Sequence, residues 1–233
     1  MQCGGNLRVC HIPIFDMNSS CYDLKTALKE IKMWSDNNPS HLPITILIEP
    51  KVAFLNEGTI FHQFSLADAK LLDTDLAEGL GDSLYTPQDM MKGYTSFTQL
   101  RETIGSVPLE ETLGKVLVIF HPSAVTNDYY AADESLMTQK MFPSVSPDKE
   151  NALFVLENDP YSENIASLVA QNYIVRTRAD SFLFYSNEKR EKAVESGAQI
   201  ISSDYPPSDT ATQNNDYIAY LKDRFTIILR GIS

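Results

Sequence analysis

The chain has 233 residues, of which 43% are hydrophobic and 21% charged. This is the balance of an ordinary folded protein and excludes a disordered, collagen-like or coiled-coil chain. The formal net charge of −12 and a pI of about 4.7 weigh against nucleic acid as a partner, because phosphate contacts need clustered Lys and Arg. A few local cations would still hold a small phosphate ester. No apolar stretch reaches the roughly 20 residues of a membrane-spanning helix, LPITILIE being the longest.

The N-terminal residues, MQCGGNLRVCHIP, lack the basic start and apolar stretch of a signal peptide. A strand is expected at 7–11, so the domain opens in mid-strand, as one lacking its beginning would. Cys3, Cys10 and Cys21 contain no CxxC pair and make a poor zinc site. A disulfide of Cys3 or Cys10 with Cys21 and free thiols both remain open. A helix follows, with Leu24, Ala27, Leu28 and Ile31 on one face and Ser20 with Asp23 as its capping box. A strand is expected at 42–49. Ser65 with Asp68 opens a helix carrying Leu66, Ala69, Leu72 and Leu76, and Thr86-Pro87 starts another. After a strand at 115–121, residues 124–151 read as irregular. A strand at 152–157 leads to a helix capped by Asp159 with Pro160 in its first turn. A strand at 173–177 precedes a helix capped by Asn187 and ended by Gly197. Further apolar runs fall at 198–202 and 225–229, separated by a polar stretch. Such near-continuous runs suit strands buried on both faces of a parallel sheet. Their alternation with helices predicts an α/β fold, read as one domain over 1–233.

Polar residues end each expected strand: His11; Glu49 and Lys51; His121; Glu157, Asn158 and Asp159; Arg176, Arg178 and Asp180; Asp204 and Tyr205. Sites in α/β barrels and open α/β sheets form at the carboxyl ends of strands. Acids, bases and cations gathered there suit chemistry on an anionic ester, especially with a bound metal. An equally weighted reading is that strand ends lie near the surface, where polar residues are common. Arg176 and Arg178 are expected on opposite sides of their strand, with Arg178, nearer the carboxyl end, chosen for the site. His41 is read as part of a structural turn, His62 as a surface residue and Trp34 as a packing residue. Glu157 and Asp159 resemble a glycosidase pair, but Asp159 is better read as a helix cap.

The strings VCHIPIFD, LKTALKEIKMWSDNNPSHLPITILIEPK, LYTPQDM, LGKVLVIFH, NDP, YIVRTRAD and SGAQIISSDYP run in order from Arg8 to Pro206. Together they resemble the calcium-dependent phosphoinositide phospholipase C-like family, PLC-like phosphodiesterases with TIM-barrel folds. The resemblance implies cleavage of phosphatidylinositol-type phospholipids to diacylglycerol and a cyclic inositol phosphate. Two histidines act as acid and base, and a calcium ion assists. It makes His11 the general acid and Glu49 a metal ligand. Lys51 would neutralise a phosphate oxygen. Arg178 and Tyr205 become head-group contacts, with Asp180 and Asp204 orienting them. It also implies secretion and transient contact with a membrane surface. The family's His-Asn motif after the first barrel strand and Glu-x-Asp motif after the second have no counterpart before His11. By that count 7–11 is the third barrel strand and the first two are absent, leaving a TIM-barrel-like fold that is incomplete. That departure supports two alternatives: an inactive or phosphate- and lipid-binding remnant of the same fold, or a related barrel enzyme acting on glycerophosphodiesters.

Overall fold

The computed structural model describes residues 2–3, 6–11, 16, 18–51, 63–181 and 185–205. The chain divides into two compact units, Met1–Leu153 and Phe154–Ser233.

The first unit begins with strands β1, Gln2–Cys3, and β2, Asn6–Leu7, paired antiparallel. The strand expected over 7–11 ends at Leu7. Beyond it the backbone turns to a different partner: Arg8 pairs antiparallel with Asp23, and Val9 N–H donates to the Tyr22 carbonyl at 3.0 Å. Backbone polar groups must find partners, and here the segment preceding the first helix supplies them. That helix, α1, spans Leu24–Asn37. Its N-cap is Asp23 alone, whose carboxylate accepts from Thr26 N–H at 3.0 Å and Thr26 O–H at 3.1 Å, in place of the expected Ser20–Asp23 box. Leu28 is fully buried, and Leu24 and Ile31 pack against the same core. Trp34 does not belong to that stripe, which Ser35 continues; its side chain is half exposed against the His41 ring.

Strand β3, Ile44–Ile48, leads through undescribed residues to α2, Leu66–Leu80. The expected Ser65–Asp68 capping box is present: the Asp68 carboxylate accepts from Ser65 N–H at 2.8 Å. Helices α1 and α2 pack closely at Gly79, where a Cβ would meet Leu28 Cβ at 2.8 Å. Lys25 Nζ reaches the buried Asp75 carboxylate at 3.0 Å. Thr86 and Asp89 form the capping box of α3, Pro87–Met91, and α4 spans Phe97–Ile104.

Strand β4, Val116–Phe120, pairs in parallel with β3, Ile44 opposite Val116 through Ile48 opposite Phe120. Every residue of β4 is buried. Val116, Val118 and Phe120 meet Leu28, Leu72, Leu76 and Leu80 in the core. In β3 only the matching face, Ile44, Ile46 and Ile48, packs there, while Thr45 and Leu47 are exposed. The segment expected to be irregular contains α5, Ala124–Ala132, and β5, Phe142–Pro143, parallel to β4. Pro143 concealed that strand; proline lacks a ladder donor yet is tolerated on an edge strand, and among the described residues β5 is an edge of its sheet.

At the opposite end of the strands, His41 Nε2 meets Ser35 Oγ at 2.8 Å and the His41 carbonyl accepts from Gly114 N–H at 2.8 Å. Gly114 has φ +71°, and a Cβ there would lie 2.4 Å from the Pro39 oxygen. The turn reading of His41 fits this network.

The second unit contains a parallel sheet of β6, Phe154–Leu156, β7, Ile174–Arg178, and β8, Ile200–Ser202, with β7 central. Helices α6, Asn164–Ala170, and α7, Asn187–Glu195, complete its described elements. Helix α6 starts later than expected. Asp159 closes a local turn, its carboxylate accepting from Tyr161 N–H and its carbonyl from Ser162 N–H, both at 3.1 Å. Ser186, not Asn187, caps α7 through Lys189 N–H. Gly197, at φ +87°, follows the helix end as expected. Arg176 and Arg178 share one face of β7, correcting the expectation of opposite faces. Residues two apart on a strand project to the same side, and here Val175 and Thr177 occupy the buried one. His62 and the run at 225–229 lie outside the described residues.

Candidate functional site

In the first unit, a cavity of about 380 Å³ opens between the Leu7–His11 segment, α1 and the side of β3 away from β4. Leu28, Ile31, Ile46 and Ile48 give it an apolar lining. Its polar lining comprises Arg8, Cys10, His11, Glu49 and Lys51. Three of the sequence candidates therefore meet at one cavity. Glu49 and Lys51 follow β3 at its carboxyl end, and Lys51 Nζ binds Glu49 Oε2 at 2.7 Å. His11 is largely exposed, and its Nδ1 lies 2.8 Å from Asp16 Oδ2. An Nδ1–H donated to Asp16 would hold the ring and leave Nε2 as the nitrogen for chemistry. Asp16 stands in the string VCHIPIFD, but nothing in its spacing marked it as a partner of His11; a loop had to bring them together. His121 is not in this cavity. Its backbone N–H donates to Ile48 and its Nδ1 faces the Pro122 carbonyl at 3.1 Å.

In the second unit, Arg178, Asp180, Asp204 and Tyr205 form a second cluster at the carboxyl ends of β7 and β8. Arg178 Nη2 donates to both Asp204 carboxylate oxygens, at 3.1 and 3.0 Å, and its Nε to the Asp180 carbonyl at 3.1 Å. The fully buried Asp180 carboxylate accepts from Asp204 N–H at 2.6 Å and Ser203 O–H at 2.5 Å. It thus fixes the turn that holds Asp204 against Arg178. The Tyr205 ring lies 4.8 Å from that of Tyr185. Desolvation pushes the Tyr205 phenol above its ordinary range, with Tyr185, Asp180 and Asp204 adding to it, so it is a hydrogen-bond donor at neutral pH. Ser203 was missed by sequence reasoning, being an ordinary serine until the turn aims it at Asp180.

Calcium takes six to eight oxygen ligands. Among the described residues, no three His, Cys, Asp or Glu side chains gather as a metal site. Among the described residues Glu49 is the one carboxylate lining the cavity, and a lysine already binds it. The described residues alone do not fit a calcium ion. No helix among them is long and apolar enough to cross a membrane.

Two solved structures with this fold are similar. A calcium-dependent phosphoinositol-specific phospholipase C from Pseudomonas sp, in a myo-inositol complex, matches with a TM-score of 0.55 at 20% identity. The match covers 78% of this chain and 64% of that one. A Ca2+-dependent phosphatidylinositol-specific phospholipase C from Streptomyces antibioticus matches with a TM-score of 0.59 at 16% identity, over 80% of this chain and 71% of that one. At such identities the likeness establishes the fold: the α/β architecture of PLC-like TIM-barrel enzymes, of which this chain spans about two thirds. No curated protein matches by sequence. Residues 2–228 match the family described as Phosphoinositide phospholipase C, Ca2+-dependent, and the chain belongs to that family.

Proposed function

We propose that the protein cleaves the phosphodiester of phosphatidylinositol-type lipids, with His11 as general acid. The observation that carries this is the meeting of His11, Glu49 and Lys51 at one cavity, at the strand end where barrel enzymes place their chemistry. In this reading an inositol ring hydroxyl attacks phosphorus, and His11 protonates the departing diacylglycerol oxygen. Asp16, bound to Nδ1, orients the ring and stabilises the imidazolium that precedes transfer. Lys51 offsets charge developing on a non-bridging phosphate oxygen. Arg178 and Tyr205 hold head-group hydroxyls, with Asp204 and Asp180 orienting Arg178. Calcium dependence is inferred from the family, with Glu49 as one ligand of a set that the described residues do not complete. Action on lipid implies transient contact with a membrane surface, and secretion belongs to the same proposal.

A second reading is a non-catalytic remnant that binds phosphate-bearing lipids. It is favoured by the lack of a second histidine lining the cavity among the described residues. Phosphorus NMR of phosphatidylinositol vesicles incubated with the purified protein separates the two. Enzyme action predicts a calcium-dependent cyclic inositol phosphate that chelator abolishes. Vesicle binding with no phosphate product supports the remnant. Turnover of glycerophosphodiesters without a cyclic product supports the related enzyme class instead.

A further inference from the structure

We propose that Cys10 and Cys21 are a disulfide-forming pair that ties the segment carrying His11 to the start of α1. The argument rests on register. Arg8 lies opposite Asp23 in an antiparallel bridge, and Val9 N–H donates to the Tyr22 carbonyl at 3.0 Å. The Arg8 guanidinium sits 4.7 Å from the Tyr22 ring centroid, fastening the same two segments through their side chains. Carried one step further, this register would set Cys10 opposite Cys21.

The kind of pair matters. Opposed residues in an antiparallel ladder alternate between hydrogen-bonded and non-hydrogen-bonded positions. The Val9–Tyr22 bond makes that the hydrogen-bonded position, so the same register would put Cys10 and Cys21 at a non-hydrogen-bonded one. There the Cα atoms approach to about 4.5 Å, inside the roughly 4.4–6.8 Å that a disulfide spans. Opposed side chains also project to the same face. The backbone of Cys21 agrees with this position. Its N–H and C=O are both occupied by Ser19 Oγ, at 3.3 and 3.0 Å, and are not needed by residue 10. Both cysteines are free thiols and partly exposed, so a small reagent can reach them. The Cys21 thiol makes only a weak bond, to the Asp23 carbonyl at 3.5 Å. Cys3 is placed differently: β1 pairs it with Asn6.

With glutathione disulfide as oxidant the chemistry balances. One cysteine thiolate attacks the glutathione disulfide, giving a protein–glutathione mixed disulfide and one glutathione thiol. The second cysteine thiolate attacks the protein sulfur of that adduct, closing the Cys10–Cys21 bond and releasing a second glutathione thiol. The two protons lost by the cysteines end on the two glutathione molecules, whose sulfurs take the two electrons. Closure fixes the backbone directly before His11. The bond depends only on the register of residues 8–10 against 21–23, so it stands or falls independently of any catalytic role for His11.

Peptide mapping tests it directly. Trypsin cuts after Arg8 and Lys25, so Cys10 and Cys21 share the peptide VCHIPIFDMNSSCYDLK, while Cys3 lies in the peptide ending at Arg8. The native protein is treated with glutathione disulfide, alkylated and digested. The expected result is that the shared peptide carries no label and is lighter by two hydrogens than its reduced form. Cys3 carries a label, and Cys21→Ser leaves Cys10 as a stable glutathione adduct. Two labels on the shared peptide, a cross-link to the Cys3 peptide, or equally fast closure in denaturant would overturn the proposal.

Discussion

The partly buried carboxylate of Asp73 offers a quantitative test of the packing between α2, α5 and the segment after α5. Its two oxygens accept the Tyr129 hydroxyl at 2.7 and 2.8 Å, and Oδ1 also accepts Lys140 N–H at 3.2 Å. Burial nevertheless dominates and raises the carboxyl from the ordinary 3.8 to about 6, against the pull of those bonds and of Lys140. A raised acid binds its proton more tightly when folded. The folded state is therefore favoured below pH 4 relative to its stability above pH 6, and the penalty sets in as pH rises between those values. Two pH units correspond to about 3 kcal/mol. Asp73→Asn keeps a carbonyl for Tyr129 and removes the titration. Urea unfolding of parent and variant from pH 4 to pH 8 isolates the effect, because other titrating groups cancel in the difference. The parent should lose about 2 kcal/mol relative to the variant across that range, the rest of the penalty falling below pH 4. A difference that stays flat, or that runs the other way, would refute the reasoning.

Gly114→Ala should destabilise the protein by more than the ~1–2 kcal/mol of a left-handed backbone alone, because its Cβ would meet the Pro39 oxygen at 2.4 Å. Gly93→Ala, at φ +90° with open space around it, should cost only the backbone strain, and equal melting temperatures for the two variants would contradict this. Lys51→Ala should lower kcat/KM on phosphatidylinositol by about 30- to 900-fold, the equivalent of ~2–4 kcal/mol of transition-state stabilisation. Arg178→Ala should cost a similar amount, and Arg178→Lys should not restore it, because the guanidinium fork spans Asp204 and the Asp180 carbonyl. Unchanged turnover in the alanine variants would remove both residues from the site.

Local signals in the sequence carried well. The Ser65–Asp68 cap, the helix start at Thr86-Pro87, the apolar stripe of α1 and the strands around 44–48, 116–120 and 174–178 each follow from a few adjacent residues. Errors arose where two local rules competed. Asp159-Pro160 satisfies both a helix start and a turn, and the turn won. Pro143 reads as a strand breaker, yet it closes the short β5. Around His11 the apolar run predicted a strand, but pairing depends on which partner comes within reach, and that partner is Tyr22–Asp23. The site divided in the same way. His11, Glu49 and Lys51 were legible as residues closing apolar runs. Asp16 and Ser203 were not, because their roles depend on loop geometry that brings them to His11 and Asp180.

The role of His11 is the centre of this account, and leaving-group dependence tests it most directly. The measurement is turnover by the full-length protein and by His11→Ala on phosphatidylinositol and on a nitrophenyl ester of inositol phosphate. A nitrophenolate departs without protonation, whereas a diacylglycerol alkoxide needs an acid. The account predicts a loss of about 10²–10⁴-fold on the lipid and a much smaller loss on the nitrophenyl ester. Equal losses on both substrates, or no loss on the lipid, would contradict it.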